Sequence, residues 1–515
     1  PRSSSAASDV YKRQAMLRAL VRNGRWLNWL NYQHFSTMSG DTSSESDPVA
    51  ILIMAAGKGT RMNDERPKVV IPVGGVPMIQ RILRTASELA PKHTVVITGH
   101  CREQVESCVA AGSAAGLYPP NGITYAVQEQ LLGTGDAVRS GMQALNEFVG
   151  TVLILSGDVP LIETSTIANL LATHHESKAT VSFVTCSLTQ PKRYGRVVRN
   201  AETGLVQKIV EAKDCTAQQL LVSEINAGIY AIDSAFLAPA LEKLDDGNAQ
   251  GEFYLTDLIE DAVSQGQGVS TLLLEDPTEL LGVNSRSDLC LVNQAVQRQK
   301  VMQLIESGVI VKDPESLYVE EDVKVEAGVV LGPNVQLLGE THIKRGTSIE
   351  GTALIVNSTV GPDAELRLGV RVEESQIGAK TLVGPFAHLR PDTILEDHVK
   401  LGNFVETKRA TLRKGAKASH LSYIGDAEVG ADANIGAGTI TCNYDGFQKH
   451  HTSIGAGAFI GSNTSLIAPV SIGAGAITGA GSAISKDVPQ DALAVTRAPQ
   501  AQRDGWAAKK RKAEE

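Results

Sequence analysis

Three short stretches of this sequence carry residue types that act on phosphate and acyl groups. Ala55-Ala56-Gly57-Lys58-Gly59-Thr60-Arg61-Met62 directly follows the apolar run 49–55. Glycines between a strand and a helix present backbone N–H groups to an anion. The spacing is not that of a Walker A loop, and Met62 stands where a dinucleotide fingerprint needs its third glycine. Asp158, in Ser156-Gly157-Asp158-Val159-Pro160, ends the apolar run 152–156. A carboxylate at the C-terminal end of a parallel strand lies where open sheets bind ligands. Asp158 there can hold Mg2+ against a triphosphate while Arg61 and Lys68 neutralise phosphate charge. His420, in Lys417-Ala418-Ser419-His420-Leu421-Ser422-Tyr423, is one of 11 histidines. Imidazole suits the removal of a proton from an amine near neutral pH.

Two architectures must position these groups. From residue 49, strand-like runs at 94–98, 123–127 and 152–156 alternate with helical patterns, beginning near 78–90. Such alternation predicts an α/β domain with a parallel, helix-covered sheet, continuing less cleanly to about residue 286. Residues 286–307 lack Gly and Pro and place apolar residues at helical spacing, which predicts one joining helix.

Beyond 320 a six-residue period takes over. Val323, Val329 and Val335 form one series; Ile377, Val383, Leu389, Leu395 and Leu401 form a second. Ile454, Ile460, Leu466, Ile472, Thr478 and Ile484 form a third. Hexapeptide periodicity predicts a parallel β-helix, with one aliphatic of each short strand pointing inward. The register breaks between Ile440 and Ile454, and a long excursion from a rigid solenoid is a natural place for binding chemistry.

Composition narrows the class. The net charge is −9, and residues 1–37 hold six basic residues and one acid, so the remainder is acidic. That is the wrong sign for a dedicated nucleic-acid binder, and the basic tail at 509–512 reads as a solvated end. No apolar run approaches the ~18 residues of a membrane span. Six scattered cysteines without a C-x-x-C pair point to a reduced, cytoplasmic protein. The expected division is a leader at 1–48, non-native or disordered, a nucleotidyltransferase domain at 49–285, the joining helix at 286–307, a β-helix at 308–490 and a tail at 491–515.

The motifs then become recognisable. AAGKGTRM, the Pro67-Lys68 of ERPKVV, QEQLLGTGDA, SGDVP and YGRVV resemble the sugar-1-phosphate nucleotidyltransferases. GPFAHLRP, GNFVETK, SHLSYIGDAEVG, NIGAGTITCNYDG and VTRAPQ are more selective. Together the two sets resemble the bacterial bifunctional N-acetylglucosamine-1-phosphate uridylyltransferases and glucosamine-1-phosphate N-acetyltransferases, over about 49–507.

The resemblance implies a Rossmann-like nucleotidyltransferase domain, a linker helix and a left-handed parallel β-helix. It implies UTP and acetyl-CoA as co-substrates, Mg2+ as cofactor and a homotrimer built through the β-helix, with small molecules rather than nucleic acid or membrane as partners. Met54, Ala55, Ala56 and Gly57 would line the nucleotide site, and Gln128, Gly133 and Thr134 would hold uracil. Ser156, Gly157, Asp158, Gly195, Glu211, Asn226 and Asn284 would surround sugar, ribose and metal, with Asp158 and Asn284 as metal ligands. Lys68 and Arg61 would act on the phosphates. In the second half His420 would be the base, oriented by Glu406. Arg390, Lys408, Tyr423 and Asn434 would hold glucosamine-1-phosphate. Acetyl-CoA would contact Ala437, Asn443, Tyr444, Ser462, Ala480 and Arg497.

Four positions depart from the usual pattern of that family. Met54 and Ser156 stand in place of Leu and Tyr and are expected to contribute mainly backbone and contact surface. Asp392 and Ser419 stand where glycine is common. Rival expectations are a nucleotidyltransferase with a purely structural β-helix, a zinc hydrating enzyme using His388, His398, His450 or His451, and a non-enzymatic solenoid.

Overall fold

The computed structural model describes residues 47–119 and 122–511. The expectations for residues 1–46 and for the end of the basic tail therefore lie outside the described residues. From Val49 the apolar runs become strands of one sheet, in the order 269–274, 181–187, 224–233, 151–156, 49–54, 93–98, 123–127. Pairings from Thr151–Ser156 through Val49–Met54 and His93–Thr98 to Ile123–Val127 are parallel. Glu224–Asp233 instead runs antiparallel to both its neighbours, and Arg196–Arg199 with Val206–Val210 adds an antiparallel ribbon. That reversal is why the strand–helix alternation blurs after residue 180. The central strands are buried on both faces, and separate apolar clusters fill the two sides, one around Leu52, Ile154 and Phe183, the other around Ile51, Leu153 and Ile82.

Arg286–Glu306 is a single helix. Ser285 caps it, its hydroxyl accepting the Asp288 N–H at 3.2 Å. Val292 and Val296 pack in a cluster with Met62, Ile71, Val73 and Val283. Further along, Val301 and Leu304 join the core of the β-helix. One helix thus has its two ends in two different cores. Glu321, just inside the β-helix, accepts from Arg81 and from Arg84 (2.6 Å), and Lys300 donates to its carbonyl at 2.6 Å.

In the repeat region neighbouring coils pair in parallel, 17 or 18 residues apart, as in Glu365 with Leu382 and Leu382 with Lys400. Each hexad turns two side chains inward rather than one. Leu331, Leu337, Ile343 and Ile349 form the main aliphatic row, continued by Leu389, Leu395 and Leu401. Val323, Val329 and Val335 belong to the second row, which goes on as Thr341, Thr347 and Ala353 and later Thr381, Ala387 and Thr393. The second row escapes a search for aliphatic residues because Thr, Ser and Ala fill most of it. Hydroxyls in it donate to carbonyls, as Thr347 does to Gly361 at 2.9 Å and Thr393 to Arg390 at 2.8 Å, although the buried Thr452 hydroxyl has no partner among the described residues.

No helix among the described residues is long and apolar enough to cross a membrane. All six cysteines are free.

Because Leu401 is fully buried between stacked coils, Leu401→Ala should cost about 2–5 kcal/mol. Lys400→Ala, on the outer face, should stay within about 0.5 kcal/mol of the parent. Urea unfolding of the full chain compares the two.

Candidate active sites

Adjacent parallel strands bring the first site together. Met54 and Ser156 are register partners, so the loops after both strands leave the same sheet edge. The Gly157 N–H donates to the Met54 carbonyl at 2.9 Å, and a Cβ on Gly157 would lie 2.9 Å from that oxygen. Ala55 and Ala56 are buried, while nothing lies within 4 Å of where a Gly57 Cβ would be. The glycine loop therefore leaves open space beside the backbone at Gly57.

Asp158 and Asn284 meet because the Val283 N–H donates to the Asp158 carbonyl at 2.9 Å. The Lys68 ammonium lies between their side chains, 2.5 Å from Asp158 Oδ2 and 3.1 Å from Asn284 Oδ1. Arg61 donates to the same Asn284 oxygen at 3.3 Å. Two hard oxygen donors, one anionic, thus already flank a positive charge, which is the donor chemistry a small divalent cation takes. Among the described residues no group of three or more His, Cys, Asp or Glu could hold a metal. A cation here would complete its shell with phosphate oxygens and water. Ser156 does more than supply backbone: its hydroxyl donates to Asp158 Oδ1 at 2.6 Å.

A cleft of about 570 Å³ opens from this cluster and is lined by Met54, Arg61, Thr134, Ser156, Asp158, Gly195, Glu211, Asn226 and Asn284. At its far end the strand Glu224–Asp233 shifts register between Asn226 and Tyr230. The bulge turns Asn226 inward; its amide donates to the Tyr230 hydroxyl at 2.6 Å, and its carbonyl oxygen accepts the Gly228 N–H at 3.0 Å. Gly195 accepts the Asn226 N–H at 2.9 Å. Glu211 accepts the Thr256 hydroxyl at 3.3 Å, and burial pushes its carboxyl pKa up. Lys192, Arg193 and Tyr194 also line the cleft and were not singled out from sequence, although Tyr194 stands in the YGRVV motif. The buried Arg196 shapes their loop by donating to the carbonyls of Tyr194 and Lys192.

Gln128 lies elsewhere, on an adjoining cleft of about 800 Å³ with Lys58, His100 and Arg102. Its amide donates to the Gly133 carbonyl at 3.0 Å and to Asp136 at 2.9 Å. Gly133 has φ +115°, and a Cβ there would lie 2.6 Å from the Phe253 carbonyl. Thr134 accepts the Leu255 N–H at 3.1 Å. Gln128, Gly133 and Thr134 are thus bound into one hairpin of contacts beside the glycine loop.

The second site is built on the β-helix. Asn403 and His420 are register partners on adjacent coils, and His420 Nδ1 lies 2.6 Å from Asn403 Oδ1. An amide oxygen only accepts, so Nδ1 carries the proton and Nε2 is left with its lone pair. Glu406 does not perform the orienting role expected of it; its carboxylate takes Arg390 at 2.8 Å. Sequence reasoning chose a carboxylate as the usual partner of an imidazole, and the register placed an amide there instead.

Arg390, Lys408 and Lys449 lie near one another on the β-helix. The positive charges of Arg390 and Lys449 lower the Lys408 pKa. Lys449 comes from the excursion and was missed. The excursion itself lengthens one coil: Val429 pairs with Ile454. Within it Asn443 donates to Asp426, which Arg409 also holds at 2.6 and 3.0 Å. Tyr444 is exposed. Tyr423 stands next to Glu406 in the sheet, and Asn434 pairs with Lys417 on another face. Ala437, Ser462 and Ala480 stack along one edge: Asn463 N–H donates to the Ala437 carbonyl, Gly481 N–H to Ser462, and Arg497 to Ala480 at 2.9 Å. Asp392 has φ +63°, a conformation Asp tolerates. Ser419 lies in the regular strand Lys417–His420, where its side chain costs nothing conformationally. His388 and His450 pair with Glu373 and Asp445, at 3.0 and 2.7 Å.

The nucleotidyl transferase family matches residues 50–277, and the bacterial transferase hexapeptide family, six repeats long, matches residues 451–486. The bifunctional protein GlmU of Geotalea uraniireducens (strain Rf4) is 41% identical over 90% of this chain and 99% of its own length. Those of Trichlorobacter lovleyi and Pelobacter propionicus are 42% and 43% identical, over 90% and 89% of this chain and 98% of each relative. The chain belongs to the bifunctional GlmU family. The relatives span both halves, so neither the sheet domain nor the β-helix is an addition peculiar to this chain.

Two outcomes follow. Burial, with Asp245, Glu260 and Asp214 nearby, raises the Asp257 pKa from 3.8 to about 6. A carboxyl that holds its proton more tightly when folded destabilises increasingly as pH rises from about 4 to 6. Asp257→Asn should therefore be more stable than the parent by roughly 1 kcal/mol at pH 7 and equal to it below pH 4, in unfolding titrations across pH. At the second site Asn403→Ala should lower the acetyl-transfer kcat about tenfold with little change in KM, whereas Asn403→Asp, which keeps the acceptor, should retain most activity.

Proposed function

We propose that the chain makes UDP-N-acetylglucosamine in two steps: acetyl transfer from acetyl-CoA to glucosamine-1-phosphate, then uridylyl transfer from UTP. The observation that supports this is the presence, in one chain, of two chemically different clusters of polar and charged side chains. One has cations and hard oxygens at the C-terminal ends of parallel strands. The other has an imidazole with a free Nε2, and clustered cations, on a β-helix.

In the acetyl-transfer site Arg390, Lys408 and Lys449 hold the sugar's phosphate. His420 Nε2 takes the proton of the glucosamine amine, and the nitrogen attacks the thioester carbonyl. The C–S bond breaks, and the CoA thiolate leaves and is protonated. Asn403 keeps the imidazole in the tautomer that can accept. Ala437, Ser462, Ala480 and Arg497 form the edge along which the acetyl-CoA arm lies, with Asn443 and Tyr444 beside it and Tyr423 and Asn434 at the sugar.

In the uridylyl-transfer site the sugar-phosphate oxygen attacks the α-phosphorus of UTP, and the bond to the β-phosphate oxygen breaks to release pyrophosphate. Attack by one anion on another needs positioning and positive charge rather than a protein nucleophile. Lys68 and Arg61 supply charge from the protein. Asp158 and Asn284 would hold Mg2+, which would supply further positive charge against the phosphates. Gln128, Gly133 and Thr134 hold uracil, the 54–57 segment and Gly157 hold the nucleotide backbone, and Gly195, Glu211 and Asn226 hold the sugar.

The product suits cell-envelope polymer synthesis in the cytoplasm. The β-helix assembles three copies, with the 441–453 excursion reaching between them. A chain whose β-helix were merely structural would have no use for Asn403 holding His420 or for three converging cations.

Single substitutions should separate the steps. Asp158→Ala should still release thiol from acetyl-CoA but lose pyrophosphate release by a factor of about 10² or more. His420→Ala should do the reverse, losing about 10²–10⁴ of acetyl transfer while still releasing pyrophosphate from UTP when the sugar phosphate is supplied already acetylated. Loss of both activities in either variant would sink the two-site assignment.

A further inference from the structure

The carboxylate of Asp158 is divided between two partners. Oδ1 accepts the Ser156 hydroxyl at 2.6 Å, and Oδ2 accepts the Lys68 ammonium at 2.5 Å. The Asp158 side chain is only 17% exposed, so little water competes for either oxygen. The chain before it is also fixed: Ser156 is locked to Met54 in the sheet, and Gly157 is pinned by its N–H bond to the Met54 carbonyl. The Ser156 hydroxyl thus comes from a strand end that does not move and reaches the one oxygen that Lys68 leaves free.

We propose that Ser156 is a positioning residue for uridylyl transfer, acting through Asp158 rather than on the substrate. Its hydroxyl fixes the carboxylate plane so that Oδ2 faces the space shared with Asn284 Oδ1, where a metal cation would be held. Without it the Lys68 contact alone orients the carboxylate, whose last torsion is broad and shallow, so Oδ2 is held less firmly towards Asn284. Groups that hydrogen-bond a metal ligand in this way typically contribute ten- to a hundredfold to metal affinity. The proposal rests on Asp158 serving as the cation ligand proposed above.

The test is calorimetric titration of the full chain with UTP, with Mn2+ present and with EDTA, reading the ratio of the two affinities. Ser156→Ala should reduce that ratio about tenfold, and Ser156→Thr, which returns the hydroxyl, should restore it. The Mg2+ concentration giving half-maximal pyrophosphate release should rise in parallel for Ser156→Ala alone. A ratio for Ser156→Ala within twofold of the parent, when Asp158→Ala loses it, overturns the role of Ser156 while leaving Asp158 as ligand. A ratio kept by Asp158→Ala overturns the ligand assignment and this proposal with it.

Discussion

One hydrogen bond, from the Val283 N–H to the Asp158 carbonyl, ties the two ends of the first domain together. Asp158 leaves a central strand, whereas Asn284 comes just before the long helix, so nothing local makes them neighbours. Once that bond is in place, Lys68 can sit between both side chains, and Arg61 can reach Asn284. The helix that follows starts at a fixed point, capped by Ser285 and held to the glycine loop by Arg286, which donates to the carbonyls of Met62 and Asn63. Its far end enters the β-helix core through Val301 and Leu304. The same short segment therefore closes the cation cluster and sets where the second domain begins.

The two halves solve the positioning problem differently. In the sheet domain the reacting groups sit on loops at strand ends, and glycines at 157 and 133 allow backbone to approach where a side chain would collide. In the β-helix they sit on the strands themselves, and register does the positioning. Asn403 meets His420 because coils stack 17 residues apart at that point, and Glu406, Tyr423 and Ile440 follow one another along a neighbouring face. A solenoid whose interior is packed by two rows of side chains gives little room for such a pair to drift.

Much of this is legible in the sequence, for reasons that can be named. Hexapeptide periodicity revealed the β-helix because its main inward row must be aliphatic to fill the prism. The second row, populated by Thr341, Thr347 and Thr393, stayed hidden because a hydroxyl satisfied by a neighbouring carbonyl looks polar in sequence. The linker showed itself by lacking Gly and Pro. The antiparallel strand Glu224–Asp233 did not, since strand direction leaves no mark on composition. Among the site residues, Asp158, Lys68 and Arg61 stand in motifs and are brought together by the fold. Asn403, Lys449 and the Ser156 hydroxyl depend on register, on the path of the excursion and on a rotamer, none of which a linear motif encodes.

The central claim is that one chain performs both transfers. The most direct measurement incubates the full chain with glucosamine-1-phosphate, acetyl-CoA, UTP and Mg2+ and follows free thiol and pyrophosphate separately. Release of both, with pyrophosphate lagging behind thiol, is the predicted result. Pyrophosphate released only when the sugar is supplied already acetylated, with no thiol at any time, would contradict it and leave the β-helix without the chemistry assigned to His420.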